Sequence, residues 1–183
     1  EDYQGKTRNQ ELGLQSKIDE DLKAAVENLA ENPEAAEAQL ESLAKKVAKI
    51  NGVEGDVDIE FYNSEDGAMG GHKDGKIYIN LNEQDGSMAS LMEVVGDEMS
   101  HYVDYKKGRK SSIEDPSRQK VSTDYGNDAA QQTSDYVGDE TVDAVAFQES
   151  LKKLDFSAVN QEVADVEGME KRRVKVDGRT IIN

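Results

Sequence analysis

The apolar residues of this 183-residue chain change period twice, and that switch restricts it to folds that combine helices with a small sheet. Leu14, Ile18, Leu22, Ala25 and Leu29 recur at steps of three and four, as one face of a helix requires. Asn32-Pro33 breaks the stripe, because Asn caps a helix and Pro fits its first position. A second stripe, Ala36, Leu40, Leu43, Val47 and Ile50, runs to the stop at Asn51-Gly52. The period then becomes two: Val57, Ile59 and Phe61 alternate with Asp58 and Glu60, which predicts a strand with one wet face. Residues 63–75 read as a polar, glycine-rich loop, and Ile77, Ile79 and Leu81 as a second strand.

The helical period returns after Ser87, a predicted N-cap, and persists to Tyr105. Residues 108–127 read as loop, followed by a helix from about 128 or 139 to 154 and a weaker one from about 158 to 170. Asp177-Gly178 predicts a tight terminal hairpin, and the polar residues 1 to about 11 a frayed end. The spacing therefore predicts an α+β fold, mostly helical with a small sheet. Residues 1–52 form an N-terminal helical hairpin and residues 53–183 an α+β region, one compact domain overall.

Composition removes whole classes of function. No cysteine is present, so disulfides, zinc ribbons and thiol catalysis are excluded. A formal charge of -17 repels a phosphate backbone and argues against nucleic acid as a partner. Two basic clusters, Lys106-Lys107-Gly108-Arg109-Lys110 and Lys171-Arg172-Arg173, read as solvated patches. No apolar run has the length of a membrane span, so no transmembrane segment is expected. The first residue is Glu1 rather than Met, which suggests a piece of a longer or processed polypeptide. Neither a P-loop, a dinucleotide fingerprint, an EF-hand loop nor a serine nucleophile elbow occurs.

The chemistry concentrates between Ser87 and Tyr105. Met88, Met92, Val95, Met99 and Tyr102 share a narrow arc of the helix and form its core face. Asp97 and His101, four apart, share another side with Glu98 beside them. Two ligands at that spacing grip one cation, and the residue after the first ligand can polarise a metal-bound water. Zinc peptidases use His-Glu-x-x-His for this reason. Here Asp97 occupies the first ligand position, a harder donor that alters the charge of the site. In a chain with 33% charged residues the same spacing also arises as an ordinary structural pair.

The flanks, Val94-Val95-Gly96 and Tyr102-Val103-Asp104-Tyr105, look like those of thermolysin-type active helices. That likeness implies a glutamate from a later helix as the third ligand. Glu140 is the candidate, heading a stripe with Ala144, Phe147, Leu151 and Leu154, although an acidic first turn also arises from the helix dipole alone. Asp143 could orient a ligand through a hydrogen bond. His72 reads first as an exposed loop histidine, and otherwise as a loop contact for the metal or a substrate.

Taken together, Gly75-Lys76-Ile77-Tyr78-Ile79-Asn80, Gly96-Asp97-Glu98-Met99-Ser100-His101-Tyr102-Val103-Asp104 and Gly138-Asp139-Glu140 carry a family resemblance. From about residue 50 to 170 the chain resembles the zincin-like region near the C-terminus of filamentous haemagglutinin-type exoproteins. These are the contact-dependent growth inhibition (CdiA) proteins and related polymorphic toxins, many of which carry Gly-His-Glu-x-x-His at this place. The resemblance implies a zincin-like scaffold, secreted or displayed at the surface of a bacterium and delivered into the target-cell envelope. It also implies a role in carrying a following toxin, with an inner-membrane or other envelope protein as partner. With Asp97 in place of histidine the scaffold is expected to be degenerate as a peptidase. No cofactor is then expected, although zinc remains open. Two alternatives stay open: an active metallopeptidase with Asp97, His101 and Glu140 as ligands and Glu98 as base, and the toxic effector itself, neutralised by an immunity protein.

Overall fold

The computed structural model describes residues 19–138, 140–173, 175–176 and 179–180, with side chains as far as Lys171. The first apolar stripe folds as α1 (Glu20–Asn28), capped by Asp19, whose carboxylate accepts from the Asp21 and Leu22 amides. Its predicted beginning at Leu14 and Ile18 lies outside the described residues. The second stripe is α2 (Pro33–Ile50), with Asn32 accepting from Ala35 N and Pro33 at the first position, as the sequence predicts. Leu22, Leu29, Leu40, Leu43 and Val47 bury completely or nearly so in one cluster with Ile59, Ile77, Met92 and Met99. The hairpin therefore packs on the sheet and on the central helix rather than standing apart.

The strands β1 (Asp58–Tyr62), β2 (Ala68–Lys73), β3 (Lys76–Asn80) and β4 (Glu170–Arg173) form a mixed sheet in the order β1-β3-β2-β4. β1 runs parallel to β3, pairing Ile59 with Ile77 and Phe61 with Ile79. β2 lies antiparallel between β3 and β4. On the far side of β1, no strand follows among the described residues. There, Glu41 of α2 accepts from Ile59 N at 2.8 Å and Glu37 from Phe61 N at 2.7 Å, so helix carboxylates satisfy the edge amides.

β2 corrects the reading of residues 63–75 as loop. Its sequence, Ala-Met-Gly-Gly-His-Lys, carries little strand propensity, and its glycines are there for close approach. A Cβ on Gly70 would lie 2.7 Å from both Tyr78 O and Val94 Cγ2, and one on Gly71 would collide with the Met169 side chain. The turn to β3 uses Asp74 (φ 48) and Gly75 (φ 88), a two-residue hairpin of the Asp-Gly kind.

The central helix α3 (Met88–Lys106) starts at Ser87, whose hydroxyl accepts from Ser90 N. It is packed most extensively against α4 (Ser117–Val137). α4 corrects the loop assigned to residues 108–127. Its buried face is Gln119, Ser122, Gly126, Ala129, Gln132 and Thr133, polar or small, so no apolar stripe announces it. A Cβ on Gly96 would come within 3.0 Å of Ala129 Cβ and 3.1 Å of Gly126 Cα, which is how closely the two helices meet. α4 ends at Gly138 (φ 73); α5 (Ala144–Leu151) and α6 (Ser157–Asp165) follow, the last stopping short of the predicted residue 170 because Glu170 enters the sheet. Lys175 and Val176 pair antiparallel with Thr180 and Arg179, and the Asp177-Gly178 turn between them lies outside the described residues. The fold is thus α+β, and no helix among the described residues is long and apolar enough to cross a membrane.

Candidate metal centre

Helix α3 is enclosed along most of its length. From Leu91 to Asp104 each residue except Glu93 is buried, so the polar side predicted beside the core face does not meet water. α4, β2 and β4 cover it. Asp97, Glu98 and His101 are 0–1% exposed, and one ligand atom from each lies within 4.8 Å of the others.

The surrounding hydrogen bonds set the protons. His101 Nδ1 stands 2.9 Å from Glu170 Oε2, and His101 Nε2 stands 3.5 Å from Asp97 Oδ2. The other Glu170 oxygen meets His72 Nδ1 at 3.1 Å, and the Gly75 amide donates to His72 Nε2 at 3.1 Å. An acceptor Nε2 leaves the His72 proton on Nδ1, donating to Glu170. Ser112 N donates to Glu170 as well, at 2.6 Å. Gln119 of α4 donates to Asp97 Oδ1 at 3.2 Å. A single carboxylate from β4 therefore joins an imidazole on α3, an imidazole on β2 and the loop before α4. His72 and His101 stack with centroids 6.3 Å apart.

Burial dominates the electrostatics, and the neighbours decide its outcome. Glu98 is pushed well above the ordinary carboxylate range, by burial first and by the charge of Asp97 second. Neither Glu98 oxygen has a hydrogen-bond partner among the described residues, and His101 Nε2 has only the long 3.5 Å approach to Asp97 Oδ2. For His101 burial opposes the charge, but its bonds to Asp97 and Glu170 outweigh that and hold it well above 6.5. Burial lowers His72 below 6.5, only partly offset by Glu170. Glu170 lies far below its ordinary range because the two imidazoles overcome its own desolvation.

The predicted residues separate into two groups. Asp97, Glu98 and His101 come together, and His72 joins them through Glu170 as a buried strand residue rather than an exposed loop histidine. Glu140 does not. Its carboxylate accepts from Met88 N at 3.2 Å, at the start of α3. That is about 13 Å along the helix from Asp97 at ~1.5 Å per residue. Asp143 is an exposed N-cap for α5, accepting from Ala146 N. Glu170, which sequence reasoning missed, supplies the later carboxylate. It opens a four-residue strand in a polar stretch with no periodic signal. Of the basic clusters, Arg109 is not a free patch residue: with Arg118 it pairs to the buried Asp104.

A hydrolytic role for Glu98 would need room for water and a substrate. The cavity that opens beside the site, about 260 Å³, is lined by His72, Tyr105, Arg109 and Glu170 among others, and stops short of Asp97, Glu98 and His101. One imidazole with carboxylates is a donor set that suits a divalent cation such as zinc, so the buried group could hold a metal ion. Compared with protein-family models, curated proteins and solved structures, the chain matches none of them.

Proposed function

We propose that this chain is a delivery domain of a bacterial contact-dependent growth inhibition exoprotein, built on a zinc-peptidase-like scaffold that no longer hydrolyses peptides. The family resemblance supplies the delivery role: an envelope or inner-membrane protein of the target cell is the partner, and a following toxin is the cargo. The observation that carries the loss of hydrolysis is the enclosure of Glu98 at 0% exposure beneath α4, β2 and β4. A general base must come within hydrogen-bond reach of the water it activates, and here Glu98 meets no solvent. The first ligand position holds Asp97, and the ligand expected at Glu140 is spent on the start of α3. The -17 charge fits a protein partner better than a phosphate one. Zinc, where held, then serves the architecture.

Competition tests the delivery role. Excess purified domain added with the intact exoprotein should protect susceptible bacteria by occupying the receptor, and should co-purify with an envelope protein from them. A domain that neither protects nor binds would remove the delivery reading. Killing when the domain alone is expressed in the cytoplasm would favour the effector.

A further inference from the structure

Glu98 is the most anomalous side chain of the described fold. Both its oxygens are buried and lack a hydrogen-bond partner among the described residues, His101 Nε2 faces Asp97 Oδ2 at 3.5 Å, and one ligand atom from each of the three lies within 4.8 Å of the others. Burying a carboxyl group without a partner is costly, and native structures normally satisfy such groups. The remaining polar atoms nearby are taken: His101 Nδ1 by Glu170, Asp97 Oδ1 by Gln119. Carboxylate against Nδ1–H is the arrangement that fixes a metal-binding imidazole, with Nε2 turned towards the ion, which displaces its proton on binding.

We propose that Asp97, Glu98 and His101 Nε2 are the ligands of a closed structural site for a divalent transition-metal cation, zinc above all, with Glu98 a ligand instead of a base and Glu170 the positioning residue for His101. This rests on the closed-site reading above for its lack of turnover. It differs from the peptidase arrangement at two residues: Glu98 binds the ion, and no ligand comes from Glu140. An imidazole donor selects zinc over the hard cations calcium and magnesium, which prefer all-oxygen cages. A cation here ties together the two carboxylates and the imidazole of α3, while Glu170 transmits that order to β4 and β2.

Chelator-stripped full chain, titrated with zinc chloride alone and dialysed, should retain about one zinc per chain and unfold at a higher temperature as zinc rises. Calcium should do neither. The positioning variant Glu170→Gln should weaken zinc binding by about 10–100-fold. Glu98→Gln should weaken it at least about as much, and Glu140→Gln should leave it unchanged. The wild-type titration stands even where a variant fails to fold. No retained zinc and no zinc-dependent shift in the wild type would overturn the site, as would a loss in Glu140→Gln equal to that in Glu98→Gln. Retained zinc together with peptide cleavage would keep the site and sink the non-hydrolytic reading; absent zinc with intact competition for delivery would do the reverse.

Discussion

Glu170→Ala is expected to destabilise the domain by about 3–5 kcal/mol, the cost of removing one partner from a buried charged pair. The carboxylate is 5% exposed and takes bonds from His101 Nδ1, His72 Nδ1 and Ser112 N. Alanine orphans all three donors at once and leaves two buried imidazoles without the carboxylate that joins them. At about 2–4 °C per kcal/mol for a chain of this size, the unfolding midpoint should fall by roughly 10 °C. The effect has a pH signature. Glu170 is depressed below its ordinary 4.5, so its contribution is present above that pH and is lost as pH falls through the folded value. His72 is depressed below 6.5, so on acidification the unfolded chain takes up that proton first and its contribution begins to decline below 6.5. His101 is raised, and its contribution is complete below 6.5 and is lost only as pH rises through its folded value. Glu98, raised by burial, takes up its proton in the fold first and so opposes the His72 loss between 6.5 and 4.5. Wild type should thus weaken steeply only below 4.5, and Glu170→Gln should lose that steep part. Midpoints across pH 3–8 for both proteins check this; identical slopes would show that Glu170 is not ionised in the fold.

Gly70→Ala should be nearly as damaging, at about 3 kcal/mol, the upper end for overpacking. The added methyl would sit 2.7 Å from the Tyr78 carbonyl and from Val94 Cγ2, and 3.2 Å from Glu98 Oε2. A flexible side chain could move aside, but the Tyr78 carbonyl belongs to the central strand β3, and Val94 is fixed in α3. β2 must either leave β3 or lift from α3, and both expose His72. Denaturant unfolding should show the loss, with a rise in accessibility of His72 to a histidine-modifying reagent. A variant as stable as wild type would mean that β2 does not press on α3 as described.

Why these features were hard to read in sequence follows from what they are made of. The α1–α2 hairpin, β1, β3 and the Ser87 cap were legible because each is built from apolar periodicity or capping chemistry. β2 was not, because its packing depends on the absence of side chains at Gly70 and Gly71. α4 was not, because it meets α3 through Gln119, Ser122, Gly126 and Ala129, residues equally at home in a loop. Of the candidate site, Asp97, Glu98 and His101 followed from helical spacing alone. Glu170 is joined to His101 only by tertiary folding, and a four-residue strand carries too little pattern to place it. Glu140 was misplaced for a related reason. An acidic residue in that position reads as inward-facing by stripe, whereas its carboxylate is used at the N-terminus of α3, where amides lack partners and the helix dipole favours negative charge.

Peptide hydrolysis with the zinc-saturated chain is the most direct measurement of whether the Asp97–Glu98–His101 face is closed. A complex mixture of unstructured peptides, incubated with the domain and followed by mass spectrometry, should show no cleavage above that in its absence. Cleavage that a chelator stops and Glu98→Gln abolishes would contradict it.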